Sequence, residues 1–361
     1  MPYRKIFARW PVIIPPLAAL TLYLLVDHQI HRLHTLFMVL ALLLAVIASV
    51  HHAEVIAHRL GEPYGTLVLA LAVTVIETSL VLSMMLAGSK ASATLPRDTI
   101  YSAVMIACNG VVGICLLLGG LHHKEQLFRI EGTGSGFAAL ATLSVMVLIM
   151  PLYTTSSPEG TYTDAQLIFV ALSSLALWLV FVFIQTIRHR DYFLPMESAA
   201  DESVHAQPPG LAQARISFVF LILSLVCVVG FAKLLSPAIE AVVKAYRAPA
   251  PVVGIVIALI VLLPETWAAI RAARADRLQT SMNLAIGSAL ASIGLTIPLV
   301  VLACVVLHLP LTLGLETKDV ALLALTFLVG SITLGSGRTN VMQGAIHLVL
   351  FASFLFLTLV P

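Results

Sequence analysis

Long apolar segments are the feature of this sequence that most restricts its fold. Most of them reach the roughly 20 residues that an α-helix needs to cross the hydrocarbon core of a bilayer. Because lipid offers no water to bond exposed backbone groups, such segments cross as helices that satisfy their own hydrogen bonds. Of the 361 residues, 60% are hydrophobic and only 11% are charged, with a mean hydropathy of +1.02. The chain is therefore predicted to be an all-α integral membrane protein.

Eleven of these segments are predicted to be transmembrane helices. The first follows the stretch MPYRKIFARW, and since no small-residue cleavage site follows its apolar run, a retained span is favoured over a signal peptide. The approximate predicted spans are residues 10–27, 34–57, 64–88, 99–121, 136–152, 165–187, 214–235, 250–272, 280–308, 319–334 and 340–360.

The distribution of Lys and Arg predicts the orientation in the membrane. With the N-terminus in the cytoplasm, thirteen of the twenty basic residues fall in cytoplasmic loops. The predicted location is the inner (cytoplasmic) membrane, with the C-terminus in the periplasm or outside the cell. The lipid bilayer is the expected partner, and the sequence leaves a homo-oligomer open. A net charge of +2 with dispersed basic residues gives no basis for a nucleic-acid partner.

A polar segment, residues 188–213, divides the predicted spans into six and five. It is rich in charge, Ser, Ala and Pro and is interpreted as a solvated cytoplasmic linker with at most a regulatory role. If residues 1–33 are an N-terminal tail and an extra helix, two five-helix halves remain, 34–187 and 214–361. Because five is odd, the second half enters the membrane from the opposite side. The predicted architecture is a pair of inverted-topology repeats, which is typical of secondary transporters.

Each half has one acidic residue near the middle of its second span. Glu77 is the only charged residue between Glu62 and Lys90, and Glu265 lies at a similar depth in the other half. A charged side chain at the bilayer centre costs about 3 kcal/mol or more. Since neither span supplies Lys or Arg at that depth, each carboxylate is expected to be protonated or to hold a cation.

Neutral oxygen-bearing side chains accompany the two glutamates in the same and the following spans. Ser102 and Asn109 are two helical turns apart, and Pro264 leaves the carbonyl of Ile260 without its helical partner. Hard cations bind such oxygens, although interhelical packing or hydrogen bonding is the alternative interpretation for each side chain. The candidate cation ligands are Glu77, Glu265, Asn109, Asn283, Ser288, Ser102 and Thr74.

A histidine-rich segment, HHAEVIAHR, offers a competing interpretation as a zinc site. Zincins need two His four residues apart with Glu directly after the first, and this spacing does not match. A proton relay, a pH sensor and a partly solvated interfacial cluster remain alternatives. His347, in the last span, is expected to be hydrogen-bonded within the bundle. The candidate proton-coupling residues are Glu77, Glu265, His52 and Glu54.

Four stretches of the chain carry a resemblance to a known family. They are HRLGEPYGTLVLALAVTVIETSL (58–80), RDTIYSAVMIACNGVVGICLLLGG (97–120), ETWAAIRAARADRLQTSMNLAIGSALASIGLTIPLV (265–300) and GSGRTNVMQGAIHLVLFA (335–352). The chain resembles the calcium/proton antiporters of the cation/calcium exchanger superfamily, most closely their bacterial ChaA type.

The resemblance implies two inverted five-helix repeats, each with a glutamate that binds the exchanged cation. These glutamates correspond to Glu77 and Glu265. In many members a Gly-Asn pair stands three and four residues before the acid, and here the pairs Val73-Thr74 and Val261-Leu262 occupy those places. The ligand set therefore differs from the common one.

The predicted function is secondary active antiport that exports Ca²⁺ in exchange for H⁺ at a mid-membrane site built on two glutamates. One divalent cation neutralises two carboxylates as two protons do, whereas the empty pair is unfavourable in the membrane. A monovalent cation together with one proton also balances the charge, so Na⁺(K⁺)/H⁺ antiport is the alternative. A membrane-embedded metal-dependent hydrolase lacks a recognisable motif, and a channel would need rings of ligands along a pore. No enzyme activity and no cofactor are expected.

Overall fold

The computed structural model describes residues 10–25, 32–61, 64–86, 90–194, 209–246 and 248–360. Over these ranges the chain is predominantly helical, and ten helical segments are long and apolar enough to cross a membrane. The segment Trp10–Leu25 is a shorter apolar helix of 16 residues. Together these segments correspond to the eleven predicted spans and confirm the all-α membrane fold.

The described helices are numbered in chain order. They are α1 (Trp10–Leu25), α2 (Arg32–Leu60), α3 (Tyr64–Leu86), α4 (Leu95–Met105), α5 (Val112–His123), α6 (Ile130–Ser144), α7 (Asp164–Phe183), α8 (Leu211–Tyr246), α9 (Pro251–Arg274), α10 (Leu278–Ala291), α11 (Ile297–Leu307), α12 (Thr317–Gly335) and α13 (Val341–Leu359). Two short strands, β1 (Gln126–Leu127) and β2 (Arg338–Thr339), pair antiparallel.

Short segments of other helical types interrupt or extend these helices. Four are π-helical, with a wider turn than an α-helix, and three are 3₁₀-helical. The π segments of the described chain are Ile106–Val111, Val145–Ile149, Ile184–Arg188 and Ser292–Thr296. The 3₁₀ segments are Lys90–Thr94, Met150–Leu152 and Arg190–Phe193.

Helix starts follow local sequence signals. Thr163 and Gln166 form a capping box at the start of α7, and Asn340 and Gln343 form one at the start of α13. Pro251 is the first residue of α9, where its missing N–H group has no helical partner to lose. These capping residues and this proline stand directly before apolar runs. The predicted starts at 165, 250 and 340 therefore lie within one residue of the observed ones.

Other helix limits differ from the predicted spans. The span predicted at 214–235 is part of α8, which continues to Tyr246, and the span predicted at 99–121 is part of the longer segment Ser92–His123. Hydropathy indicates which part of a helix can lie in lipid, whereas helical hydrogen bonding continues into the polar residues beyond it. The predicted spans are therefore too short at these ends.

Contacts divide the chain into two compact units. The first comprises Met1–Ser92 and His205–Ala248, and the second comprises Ala93–Val204 and Pro249–Pro361. Each unit contains helices from both predicted halves, because a compact unit is defined by contacts and a repeat by order along the chain. The residue boundaries predicted for the two repeats stay a prediction.

Within the first unit, α2 packs against α1, α3 and α8, and α3 also packs against α8. Part of the core lies where α2, α3 and α8 meet. α1 approaches α8 closely at Gly230, where a Cβ atom would overlap the side chain of Leu22. The buried residues of this core cluster are Ala53, Ile56, Ala72 and Leu221.

Within the second unit, loops that the topology predicts to lie outside the cell contact each other. The amide of Thr312 donates to the carbonyl of Ala93 at 2.9 Å, and the amide of Gly314 donates to the carbonyl of Gly160 at 2.9 Å. These bonds connect the loops before α4, before α7 and before α12. Their meeting at one end of the unit agrees with the predicted alternation of spans.

The loops predicted to be cytoplasmic meet in the same way. Strand β1 follows α5 and pairs with β2, which follows α12, and the Gln126 side chain donates to the carbonyl of Ala273 at 3.0 Å and to Asp276 at 2.7 Å. The amide of Arg129 donates to the side chain of Gln279 at 2.7 Å. Three predicted cytoplasmic connections are thus joined by hydrogen bonds.

At the beginning of the predicted linker most side chains are exposed, whereas one aromatic ring is buried. Arg190–Phe193 forms a 3₁₀ turn, and the Phe193 side chain is buried at 7% exposure. At the other end, α8 already begins at Leu211. The linker thus begins with a structured turn and ends in the first turn of α8. Its role as a solvated connector stays a prediction, and residues 195–208 lie outside the described residues.

Glycines allow α5 and α13 to pack in close contact. A Cβ atom on Gly344 would overlap the backbone amide of Leu117, and one on Gly120 would overlap the backbone of Val341. Small residues at a membrane-helix interface permit such close backbone approach, which is favourable through van der Waals packing.

We expect Gly344→Ala to destabilise the protein by about 1–3 kcal/mol, because a backbone atom, unlike a flexible side chain, cannot move aside. The measurement is the thermal unfolding midpoint in detergent. Gly335→Ala is the matched control, since a Cβ there meets nothing within 4 Å. Equal midpoints for the two variants would contradict the close packing of α5 and α13.

Candidate functional site

Glu77 lies in α3 of the first unit and is 1% exposed. Its Oε1 atom is fully enclosed by protein. Thr74, one turn earlier on the same face, is also buried, and its hydroxyl donates to the carbonyl of Ala70 at 2.8 Å. The predicted carboxylate is thus enclosed within an apolar membrane helix, with a threonine hydroxyl oxygen one turn away.

Glu265 lies in α9 of the second unit, half-buried, with its Oε2 atom enclosed by protein. Pro264 stands inside the same continuous helix, and the Thr266 hydroxyl donates to the carbonyl of Leu262 at 2.7 Å. The two acids lie in the helices that correspond to the predicted second spans of the two halves.

Ser102 and Asn109 belong to the helical segment that follows the Glu77 helix in the first half. Both are buried, and the Ser102 hydroxyl donates to the carbonyl of Asp98 at 2.6 Å. Asn109 lies in the π segment Ile106–Val111, whose wider turn changes the direction of its side chain relative to Ser102. The two predicted helical turns between Ser102 and Asn109 therefore include part of a π segment.

The Asn109 amide takes part in a buried hydrogen-bond network with His347. Asn109 Nδ2 donates to the Thr326 hydroxyl at 2.9 Å, and Asn109 Oδ1 lies 3.0 Å from His347 Nδ1. Because the Thr326 hydroxyl donates to the carbonyl of Leu322 at 2.8 Å, its oxygen is the acceptor for Asn109. Oδ1 therefore faces His347, which makes Nδ1 the protonated ring nitrogen.

The other ring nitrogen of His347 completes this network. His347 Nε2 lies 3.1 Å from the Thr333 hydroxyl, which donates to it when the ring is neutral. His347 is 2% exposed, and its hydrogen-bonded position in the bundle is confirmed. The hydrogen-bond partners of His347 were not predicted. Asn109 and His347 are 238 residues apart, and the local sequence around each gives no sign of their contact.

Asn283 and Ser288 are the corresponding polar side chains of α10. Asn283 Nδ2 donates to the carbonyl of Phe193 at 2.7 Å, and its Oδ1 accepts from Gln279 Nε2 at 2.9 Å. The Ser288 hydroxyl donates to the carbonyl of Ala285 at 3.1 Å. Both side chains are part-buried, and the adjacent Gly287 faces open space.

Equivalent spans of the two halves each contain a π segment. Ile106–Val111 interrupts the span Ser92–His123, and Ser292–Thr296 interrupts the span Leu278–Leu307. The first contains Asn109, and the second begins and ends with the buried Ser292 and Thr296. π turns inside membrane helices are frequent at functional sites. Thr296 was not among the predicted site residues, because the apolar pattern of the sequence does not indicate a π turn.

His52 and Glu54 are not brought together in the first unit. His52 Nε2 lies 2.9 Å from the carbonyl of Pro11, so this nitrogen donates, and Nδ1 lies 3.2 Å from the Ser217 hydroxyl. His52 thus ties α2 to α1 and α8, whereas Glu54 lies on an exposed face of α2. In the part of the chain that the structure describes, no group of three or more His, Cys, Asp or Glu side chains is arranged to hold a metal ion.

A buried ion pair at the start of α4 was not predicted. Arg97 Nε lies 2.8 Å from Asp98 Oδ1, and Arg97 Nη1 donates to the carbonyl of Gly314 at 2.8 Å. The Thr94 hydroxyl donates to Asp98 Oδ2 at 3.1 Å. α9 packs against this backbone at Gly254, where a Cβ atom would overlap Asp98. The predicted span 99–121 leaves Arg97 out, since the contact of Arg97 with Gly314 depends on a distant segment of the chain.

One family model matches nearly all of both predicted halves and part of the extra N-terminal span. The model is described as sodium/calcium exchanger protein, and it matches residues 16–187 and 216–360. The chain belongs to this family. Its members are membrane transporters, so the chain is a transporter and not an enzyme, and the ions are its substrates rather than cofactors.

Two relatives are similar over most of their length. The ionic transporter y4hA of Sinorhizobium fredii is 45% identical over 317 residues, which cover 88% of this chain and 86% of the relative. The sodium-potassium/proton antiporter ChaA of Escherichia coli (strain K12) is 35% identical over 354 residues, which cover 95% of this chain and 94% of the relative. These matches confirm the resemblance found in the sequence.

A solved structure shares the fold. The crystal structure of the selenium-substituted Ca²⁺/H⁺ antiporter protein YfkE has a TM-score of 0.72 and 14% sequence identity, and the match covers 99% of this chain and all of the other. At this identity the likeness concerns the fold alone. It confirms the predicted transporter architecture.

We expect Asn109 and His347 to contribute to stability as a coupled pair. Asn109→Ala and His347→Ala each leave a buried polar partner unpaired, which costs about 1–3 kcal/mol. The double variant then costs less than the sum, with a coupling energy of about 0.5–3 kcal/mol in chemical unfolding. His122→Ala, on an exposed part of α5, is the control and is expected to change stability by no more than about 0.5 kcal/mol. A double variant whose loss of unfolding free energy equals the sum of the two single losses would contradict the hydrogen bond between Asn109 and His347.

Proposed function

We propose that the protein is a secondary active antiporter that exchanges a cation for protons through Glu77 and Glu265, one glutamate in each half of the chain. The observation that carries this proposal is the enclosed carboxylate of Glu77 in an apolar membrane helix. A carboxylate in that environment is neutralised by a proton or a cation, because an isolated buried charge is strongly unfavourable.

Charge balance supplies the coupling mechanism. Two ionised carboxylates carry two negative charges, which one divalent cation or two protons neutralise equally. The states loaded with the cation or with protons are therefore the ones that change access across the membrane, whereas the doubly ionised empty state is too unfavourable to do so. Each half-cycle then requires a load, which prevents uncoupled leakage of either ion.

Neutral oxygens complete the proposed ligand set. Thr74 supplies a hydroxyl oxygen one turn from Glu77, and Ser102 and Ser288 supply hydroxyl oxygens from the spans that follow the two acids. Asn109 and Asn283 each accept one hydrogen bond through Oδ1. Since a carbonyl oxygen has two lone pairs, each oxygen retains one for a cation.

His52 and Glu54 are proposed to couple proton movement at the α2 end of the pathway. His52 contributes a ring nitrogen that accepts from the Ser217 hydroxyl, and Glu54 contributes an exposed carboxylate. An imidazole can accept and donate a proton through its two ring nitrogens, and a carboxylate on another face of the same helix can also bind and release a proton.

Calcium is the proposed cation, because its double charge matches the two carboxylates and its preference for oxygen ligands matches the set. The proposed direction is export from the cytoplasm across the inner (cytoplasmic) membrane, with the N-terminus in the cytoplasm, an orientation that thirteen of twenty basic residues favour. Na⁺ or K⁺ exchange for H⁺ is the second candidate. The relative that is 35% identical favours it, since that protein is a sodium-potassium/proton antiporter.

We expect Glu77→Gln and Glu265→Gln each to abolish cation/proton exchange, because glutamine retains size and hydrogen-bonding capacity but cannot gain or lose a proton. Insertion is expected to stay normal and thermal stability to be equal or slightly higher, since burying an ionisable group is costly. The measurement is dissipation of a pH gradient in proteoliposomes on addition of Ca²⁺, Na⁺ or K⁺.

Glu125→Gln is the matched control, because Glu125 lies in an exposed loop of the second unit. Wild-type protein and this control are expected to respond to Ca²⁺ at the lowest concentration. A response to Na⁺ or K⁺ alone would select the second candidate. Robust exchange by either Glu77→Gln or Glu265→Gln would refute the role of the two glutamates.

A further inference from the structure

The chain that follows the π segment Ile184–Arg188 is attached to the rest of the second unit through one buried aromatic ring, although Arg190, Asp191 and Tyr192 are exposed. We call residues 189–193 the docked segment. The ring of Phe193 is buried and meets Phe181 edge-on, with centroids 5.8 Å apart and an interplanar angle of 84°. The rings of His189 and Tyr192 are stacked at 4.8 Å. The segment therefore has a buried aromatic anchor and an internal stack.

The docked segment is hydrogen-bonded to α10 through a candidate cation ligand. The carbonyl of Phe193 accepts from Asn283 Nδ2 at 2.7 Å, and Asn283 Oδ1 accepts from Gln279 at 2.9 Å. Gln279 in turn accepts from the amide of Arg129 at 2.7 Å. The orientation of the Asn283 amide is thus defined from both sides, by the docked segment and by the start of α6.

A glycine makes room for this arrangement. A Cβ atom on Gly132 would overlap the carbonyl oxygen of Tyr192 and press against Phe193. Gly134, two residues later in α6, has open space, with its hypothetical Cβ 3.9 Å from the nearest atom, on Ile130. Alanine at 132 therefore displaces the docked segment, whereas alanine at 134 makes the same change of helix propensity without a clash.

We infer that the docked segment is a positioning element that fixes the Asn283 amide and thereby sets the apparent affinity of the transporter for its cation. The inference rests on the proposed function. When the segment is displaced, Asn283 Nδ2 loses its acceptor, and the amide turns to find another one. Its Oδ1 then no longer has a fixed direction, while Glu77 and Glu265 are unchanged. Undocking therefore weakens cation affinity and leaves maximal turnover intact.

The first arm of the test measures docking by limited trypsin digestion of the full-length protein in detergent. Arg190 lies within the docked segment, and the next basic residue along the chain is Arg215. In Gly132→Ala, cleavage after Arg190 is expected to be about tenfold faster than in wild type, since proteolysis follows the population of the open form. Gly134→Ala is expected to match wild type. Equal cleavage of all three proteins would overturn the docked arrangement.

The second arm measures exchange in proteoliposomes with the cation that wild type transports. Gly132→Ala is expected to raise the apparent KM about three- to tenfold with the maximal rate within about twofold, as loss of one positioning hydrogen bond implies. Asn283→Ala is expected to raise KM by a similar factor. The double variant Gly132→Ala/Asn283→Ala is expected to have the same KM as Asn283→Ala alone, because both substitutions act through the Asn283 amide. A merely structural role for the segment would instead give additive effects.

The two proposals fail in different ways. If wild type exchanges no cation, the proposed function fails, while the digestion arm still decides whether the segment is docked. If Gly132→Ala undocks the segment and its KM equals that of wild type and Gly134→Ala, the inference fails and the proposed function stands. Additive increases in KM for Gly132→Ala and Asn283→Ala would also overturn it.

Discussion

The cost of holding a carboxylate in an apolar helix is the constraint on which the rest of this structure depends. Glu77 is enclosed in α3, and Glu265 lies half-buried in α9, in the helices that correspond to the predicted second spans of the two halves. A carboxylate is stable inside a membrane helix only when a proton or a cation neutralises its charge. A bound ion, unlike a covalently attached side chain, can leave and be replaced by another ion. The same free-energy cost that disfavours the acid in lipid is the physical basis for proposing it as a coupling group for transport.

Backbone geometry around the candidate ligands departs from the regular helix where polar side chains are buried. Two of the four described π segments, Ile106–Val111 and Ser292–Thr296, lie in equivalent spans of the two halves. They include the buried residues Asn109, Ser292 and Thr296. A π turn redirects a side chain without breaking the helix, so the backbone stays satisfied in a region without water. The network through His347 orients the Asn109 amide, and the docked segment orients the Asn283 amide.

Much of the fold follows from the sequence alone, because each span is a local property. Apolar runs predicted the helices, and caps such as Asn340 with Gln343 set their starts. Matching depth also identified Glu77 and Glu265 as equivalent residues. The Arg97–Asp98 pair with Gly314, the contact of Asn109 with His347 and the contact of Asn283 with Phe193 were not predicted. Their partners lie 217, 238 and 90 residues away in the chain, and packing alone selects them.

Competition between the cation and protons for the same carboxylates requires that cation binding release protons, and this release can be measured. Ca²⁺ is added to weakly buffered purified protein in detergent, and released protons are counted with a pH indicator while binding is followed by calorimetry. The account predicts release of up to about two protons per bound Ca²⁺, with binding that tightens as pH rises, because protonation and cation binding are thermodynamically linked. Cation binding that releases no protons and is independent of pH would contradict it.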